Sequence, residues 1–283
     1  MTRPDPSGTV FTFGAVSYDL SSRPFVMGIL NVTPDSFSDG GRFVSPQDAI
    51  RHGIQLARDG ADFLDVGGES TRPGSNPVSV EEELRRVIPV ISELSRSVGI
   101  PISVDTYKSE VAHDALSAGA SIVNDVTGLT FDRRMPSVIA DHKATAIVMH
   151  MKGTPKTMQE NPHYDDLLGE VKEFLEKSAG TARAFGIQQI IVDPGIGFGK
   201  TLSHNLELMK RLPELVSLGH PILVGPSRKS FIGTILDAPP DQRLEGSIAA
   251  SIICVMKGAS IVRVHNVRET VRALKILHAV EQS

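Results

Sequence analysis

The sequence of 283 residues has a single cysteine, Cys254. A lone thiol excludes a disulfide framework and a cysteine-built zinc site, and its place in an apolar, helix-spaced run reads as a small core residue in a reducing compartment. An excess of basic charge is also missing. Lys and Arg number 29 against 33 Asp and Glu, a formal charge of −4. No overall field draws such a chain to nucleic acid or to an anionic membrane, so an anionic ligand must be met by local charges. No apolar stretch approaches the about 20 residues that span a bilayer, and the opening Met1-Thr2-Arg3-Pro4-Asp5-Pro6 lacks the apolar core of a signal peptide. A cytoplasmic protein acting on small molecules is the expectation. Low-complexity tracts, long linkers and charge runs are absent as well, so nothing splits the barrel-sized chain into separate units.

What is present is a regular alternation. Short β-branched runs at 26–32, 63–66, 102–104, 122–123, 145–149, 190–192, 222–224 and 261–264 read as strands. Between and after them, 45–59, 80–97, 109–118, 133–142, 164–185, 204–211, 244–257 and 267–280 mostly carry apolar residues at helical spacing. Strand-then-helix, repeated eight times, implies parallel pairing through right-handed crossovers. The predicted fold is a single (β/α)8 TIM barrel spanning 23–283, with an open doubly wound sheet as the alternative. The preceding segment, 1–22, holds Gly14 between two β-prone stretches and predicts a short hairpin closing the barrel floor.

Polar residues interrupt the apolar runs where the strands end: Asn31, Asp65, Asp105, Asn124, His150, Asp193, Ser227 and His265. Each alone could be a turn-former or helix cap. Together, on a barrel, they converge on the face that carries active sites. Carboxylates and amides in such a ring suit a flat heterocycle with adjacent N–H donors, such as a pterin edge, because a carboxylate can accept two such bonds side by side. Two-metal chemistry could use three aspartates too, if they stood close together. A second set, Arg72, Arg228, Lys229, Arg263 and His265, with Ser70, Thr71, Ser227 and Ser230 beside it, suits a pyrophosphate. The alternation in Ile261-Val262-Arg263-Val264-His265 sends Arg263 and His265 to one face. The glycine-rich stretch from Asp193 to Thr201 is no nucleotide loop, since Gly195 leaves three residues before Gly199-Lys200-Thr201 where the Walker loop needs four. Its glycines are expected to let backbone approach a ligand.

These stretches resemble the dihydropteroate synthase family of pterin-binding barrels. The resemblance runs from about Phe25 to His265 and is carried by the segments 27–41 and 65–74, then by Ser103-Val104-Asp105-Thr106, Ile122-Val123-Asn124-Asp125-Val126, Asp193 to Lys200, 225–233 and Arg263-Val264-His265. It implies that Asp105, Asn124, Asp193 and Lys229 hold the pterin edge, with Met149 and Phe198 packing near the ring. It assigns Asn31, Arg72, Arg263 and His265 to the pyrophosphate, Mg2+ to the vicinity of Asn31, and a stacking role to Arg263. Asp105, Asp193, Lys229 and Arg263 are the implied catalytic set. Loops around Asp35 to Gly41 and Ser70 to Gly74 are expected to be held only at their ends and to close over 4-aminobenzoate, with Phe37, Thr71, Pro73 and Ser230 among its walls. The implied reaction joins a dihydropterin pyrophosphate to 4-aminobenzoate, in a homodimer, as a target of sulfonamides. Alternatives are a pterin- or folate-dependent methyltransferase, which handles no pyrophosphate, and a non-catalytic pterin-binding paralogue.

Overall fold

Two short strands, β1 (Val10–Phe13) and β2 (Val16–Asp19), pair antiparallel with Phe13 opposite Val16. The two-residue connection needs a left-handed residue, and Gly14 supplies it at φ +62°. The computed structural model from which these positions come describes residues 9–33, 45–72 and 74–281. The hairpin predicted for this segment is therefore present.

Eight strands follow: β3 (Phe25–Asn31), β4 (Phe63–Gly67), β5 (Ile102–Asp105), β6 (Ile122–Asp125), β7 (Thr145–Met149), β8 (Ile190–Asp193), β9 (Leu223–Val224) and β10 (Ile261–Val264). They form one parallel sheet in the order β8-β7-β6-β5-β4-β3-β10-β9. A parallel bridge between Val192 and Ile222, with Val192 N donating to Pro221 O at 3.0 Å, brings the last strand against the first. That contact makes the closed barrel, rather than the open sheet, the observed solution.

The helices are α1 (Pro46–Arg58), α2 (Val80–Ser97), α3 (Ser109–Ser117), α4 (Met135–Asp141), α5 (Leu167–Ala184), α6 (Leu202–Arg211), α7 (Ser230–Leu236), α8 (Leu244–Met256) and α9 (Val267–Glu281). Ser45, Ser79 and Asp166 cap α1, α2 and α5 with their side chains, satisfying amides that no helical carbonyl reaches. Helix α6 starts earlier than its apolar spacing predicts because Thr201 and His204 form a reciprocal capping box. Helix α7 and the 3-10 turn Leu212–Leu218 were not expected from the pattern; both are too short to show helical periodicity.

Outward strand residues such as Leu30, Leu64, Val66, Val104, Val148, Val192, Val262 and Val264 meet the helices in the main core. Inward residues build a second, smaller core: Phe25, Met27, Phe63, Ile122, Ile147, Ile191, Leu223 and Ile261 pack with Phe11, Phe13 and Leu20 of the N-terminal segment. The hairpin thus plugs the end of the barrel where the strands begin. Gln189 ties it there, its amide bonding Thr12 N, Thr12 O and Thr145 Oγ1. With the floor closed, the polar ends of the strands lie at the opposite end of the described barrel.

Candidate functional site

Strand periodicity carries the floor upward into the site. On β4, Phe63 belongs to the floor, so Asp65 faces the same interior two residues higher. The same step leads from Ile122 to Asn124 on β6, from Ile147 to Met149 on β7, from Ile191 to Asp193 on β8 and from Ile261 to Arg263 on β10. A hydrocarbon layer is thereby followed by a polar one within about 7 Å of strand.

Arg263 is the centre of that layer. Its Nε donates to Asp65 Oδ2 at 2.6 Å and its Nη2 to Asp105 Oδ2 at 2.7 Å. Asn124 Nδ2 adds a bond to Asp65 Oδ2 at 3.1 Å. Yet Asp65 Oδ1 and Asp105 Oδ1 are buried without a protein partner. An unmet acceptor in such a place costs about 1–3 kcal/mol, so these oxygens are positions for donors from water or from a ligand. Burial pushes the Asp105 carboxyl well above its ordinary range, against the opposing pull of Arg263 and with help from Asp65. The guanidinium is therefore committed to two carboxylates, each of which keeps its other oxygen unpaired.

Asp193, at the end of β8, and Lys229, after β9, lie close enough for each charge to act on the other. Burial pushes the Asp193 carboxyl up to about 6, while its Oδ1 accepts from Gly195 N at 2.7 Å. Burial and then the charge of Arg263 bring the Lys229 ammonium down to about 8, and its Nζ lies 3.8 Å from the Phe198 ring centroid. Phe198 and Met149 share an apolar cluster with Val126 and Met158. Acceptors, a cation and a soft apolar wall thus meet in one place, as a flat polar heterocycle requires.

The anion side lies next to it. Burial lowers the His265 imidazole to about 3, and the charges of Arg228, Arg263, Arg72 and Lys229 push it the same way. The four cations thus lie within electrostatic reach of His265. His265 Nδ1 is 3.0 Å from Ser227 Oγ. Arg228 adopts φ +57°, a strained conformation held by Ser247 Oγ on its amide and by Arg243, whose Nη1 donates to the Arg228 and Lys229 carbonyls at 3.0 and 3.3 Å. Ser230 is exposed at the start of α7, Thr71 is half-buried and Arg72 is exposed. Asn31 ends β3 beside Gly67, whose missing side chain leaves room between Asn31 Oδ1 and Asp105 Oδ2.

Several expectations change. His150 does not join the ring: following Met149, it takes the opposite face, where its ring meets Phe174 on α5 and its Nδ1 lies 3.0 Å from the buried Lys200 Nζ. The glycines after Asp193 serve the protein rather than a ligand. A Cβ on Gly195 would fall on the His150 carbonyl oxygen, and one on Gly197 would lie 2.8 Å from Lys229 Cδ. Segment 70–75 is not held at its ends alone, since Ser75 Oγ bonds the Ser70 and Arg72 carbonyls and Gly74 N donates to Pro155 O. Phe37, Pro73 and the loop around Asp35 to Gly41 lie outside the described residues. Sequence reading missed Arg243, whose role depends on contacts 14 and 15 positions away, and the buried Glu69, Glu83 and Lys108.

Comparison with known proteins agrees with this geometry. Residues 27–265 match the family described as pterin binding enzyme. Dihydropteroate synthase of Synechocystis sp. is 49% identical over 270 residues, covering 94% of this chain and 93% of that protein. The Escherichia coli enzyme of the same name is 48% identical over 265 residues, with 93% of each covered. The fold superposes on Xanthomonas albilineans dihydropteroate synthase solved with 4-aminobenzoic acid, at a TM-score of 0.92 and 45% identity, covering 98% of this chain and all of that one. Yersinia pestis dihydropteroate synthase with a sulfonamide drug complex gives 0.92 and 44%, over 97% of this chain and 100% of that chain. A barrel floored by a hairpin, a mouth of unmet carboxylate oxygens beside gathered cations, and near-half identity along almost the whole length place the chain in the dihydropteroate synthase family of pterin binding enzymes.

Proposed function

We propose that the chain condenses 6-hydroxymethyl-7,8-dihydropterin pyrophosphate with 4-aminobenzoate, releasing pyrophosphate and forming 7,8-dihydropteroate. The observation that carries this reading is the junction of two subsites. Asp105 keeps a buried oxygen without a protein partner, Asp193 and Asp105 both act on the Lys229 ammonium, and the charges of Arg72, Arg263 and Lys229 act on His265 beside them. In this reading Asp193 accepts from the pterin 2-amino group and N3–H, Lys229 supports the 4-oxo group, and Asp105 and Asn124 bind the far edge. Met149 and Phe198 cover the ring. Arg263 stacks on the ring and, with Asn31, Arg72 and His265, holds the diphosphate.

The chemistry asks little beyond charge and placement. An electron-rich pterin stabilises positive charge at its exocyclic methylene as the C–O bond to pyrophosphate breaks, and the arylamine then forms the C–N bond. The cations stabilise the departing negative charge and the loops hold the amine in line. No covalent nucleophile is needed, and a neutral arylamine needs no strong base. A methyltransferase would have no use for the gathered cations.

Mg2+ belongs to the same reading. Among the described residues no group of three or more His, Cys, Asp or Glu could hold a metal, which suits an ion that takes most of its ligands from phosphate and water. Asn31 offers a hard amide oxygen at the right edge of the mouth. When bound, the ion would neutralise diphosphate charge.

Thr71, Ser230, Phe37 and Pro73 are assigned to the 4-aminobenzoate pocket, and sulfonamides should compete there. We assign the protein to the cytoplasm; no helix among the described residues is long and apolar enough to cross a membrane. A homodimer is supported by the exposed Ile235 and Leu236 of α7, Ile253 and Met256 of α8 and Ile276 of α9, an apolar set on consecutive helices. The direct test mixes the purified protein with the dihydropterin pyrophosphate, 4-aminobenzoate and Mg2+. Stoichiometric pyrophosphate and dihydropteroate are expected, and their absence defeats the reading.

A further inference from the structure

Two carboxylates and one ammonium lie buried together behind the segment that carries Thr71 and Arg72. Lys108 Nζ stands 2.7 Å from Glu69 Oε2 and 2.6 Å from Glu83 Oε2. The side chains are 12%, 5% and 1% exposed respectively. The third Lys108 donor goes to Val78 O at 2.8 Å, and Val78 N donates to Glu69 Oε2 at 3.0 Å. Tyr107 Oη donates to Glu69 Oε1 at 2.5 Å. Glu69 is at one end of the segment and Val78 at the other; Glu83 lies on α2, and Lys108 follows β5. An ammonium has three donors, and here all three are spent fastening both ends of one loop to the rigid frame.

Stability alone explains this arrangement poorly. A buried ion triad is commonly no better than apolar packing of equal volume. Glu83 Oε1 has no partner, and burial holds its carboxyl above the usual range. What the triad does supply is geometry: fixed ends for a loop whose own bonds, among the described residues, run through Ser75, Gly74 and Arg72 N to Ser70 Oγ. Tyr107 extends the connection, packing edge-on to Phe131 at 4.7 Å and against the Val126, Met149, Met158 and Phe198 cluster.

We propose that Lys108, with Glu69, Glu83 and Tyr107, is a positioning unit for the 69–78 loop. It places Thr71 for 4-aminobenzoate capture and Arg72 beside the diphosphate, and links that loop to the apolar wall beside the ring. The proposal rests on the reading of this loop as a wall of the 4-aminobenzoate pocket. Glu69→Gln keeps the shape and removes the charge that Lys108 grips, whereas Tyr107→Phe removes a single hydroxyl. For both variants and the unaltered protein, steady-state kinetics give the KM for 4-aminobenzoate, calorimetry gives affinity for a pterin lacking pyrophosphate, and hydrogen exchange follows the non-proline amides within 70–78. The KM for 4-aminobenzoate should rise about tenfold in Glu69→Gln and about threefold in Tyr107→Phe. Pterin affinity should hold within a factor of about two, because the ring-binding strands are untouched. Amides 70–78 should exchange faster while those of β5 and β8 do not. A folded variant with unaltered 4-aminobenzoate KM and unaltered exchange overturns the proposal, as does equal loss of both affinities. If Glu69→Gln fails to fold, Tyr107→Phe decides alone. If the unaltered protein shows no turnover, the functional reading fails, and the exchange measurement still decides whether the triad positions the loop.

Discussion

The floor and the mouth of the barrel are made by the same strands, a few residues apart, and they treat burial in opposite ways. At the floor, Phe63 is fully buried and its ring meets Phe13 at 5.1 Å and Tyr18 at 5.3 Å, both edge-on. Two residues further along the same strand, Asp65 is just as buried and keeps one oxygen without a partner. The floor lowers the free energy of the empty protein. The mouth, with buried acceptors left unmet, raises it, so the two ends should respond oppositely to substitution.

The sharpest way to break this contrast is Arg263→Ala. Removing the guanidinium leaves Asp65 and Asp105 buried and facing each other, which should cost about 3–5 kcal/mol in denaturant unfolding and abolish turnover. A loss below about 1 kcal/mol would mean that the carboxylates simply take up protons and that Arg263 is no keystone. Phe63→Ala, at the floor, should destabilise by a comparable 3–5 kcal/mol through the cavity it leaves. Its folded fraction, however, should turn over at the normal rate, as a titration of active sites would show; a large loss in kcat per folded molecule would tie the floor to the chemistry.

A smaller effect carries the opposite sign. Asp193 has its carboxyl raised to about 6, above its ordinary value of 3.8, so the folded state holds that proton more tightly than the unfolded chain does. Its contribution is complete below about pH 4 and lost as pH rises through about 6. Asp193→Asn removes the ionisation cost while its amide oxygen can still accept from Gly195 N. The empty variant should therefore be more stable at pH 8, by on the order of 2–3 kcal/mol, with the gain fading toward pH 4. Pterin affinity should fall by about 1–3 kcal/mol in the same variant, because an amide offers one acceptor where two are needed. In the unaltered protein pterin affinity should weaken as pH drops below about 6. Melting curves across pH and calorimetry with a pterin check both; a variant less stable at pH 8 would show that Asp193 is not strained by burial.

The mildest test returns to the floor. Gln189→Ala removes the amide that fastens the hairpin to β7 and should cost about 1–2 kcal/mol without altering either KM. A changed KM for either substrate would show that the hairpin is felt at the mouth.

Much of this contrast is legible in the sequence. Period-two alternation predicted that Arg263 and His265 share a face, and strand-end placement brought Asn31, Asp105, Asn124 and Asp193 to one end. The same alternation, applied one residue further, would have removed His150, since Met149 already occupies the inward position on β7. Distance along the chain hid the rest. Lys108 meets Glu69 and Glu83 across 39 and 25 positions, and nothing local in Lys, Glu or Tyr distinguishes a buried partner from a solvated one. Glycines after Asp193 could be read as making room, but only packing shows that the room is for His150 O and Lys229.

The barrel's closure has a consequence for how substrate and fold share stability. β9 contributes two residues, Leu223 and Val224, and only the Val192–Ile222 bridge joins it to β8. This is the barrel's weakest seam, and Asp193 stands at the end of one lip with Ser227 and Lys229 just past the other. In the proposed reading, a pterin held by Asp193 and Lys229 at once would act as a clasp across that seam. Slowed amide exchange at Val192 on binding would be its mark, and the ring that the site recognises would also be the stitch that finishes the cylinder.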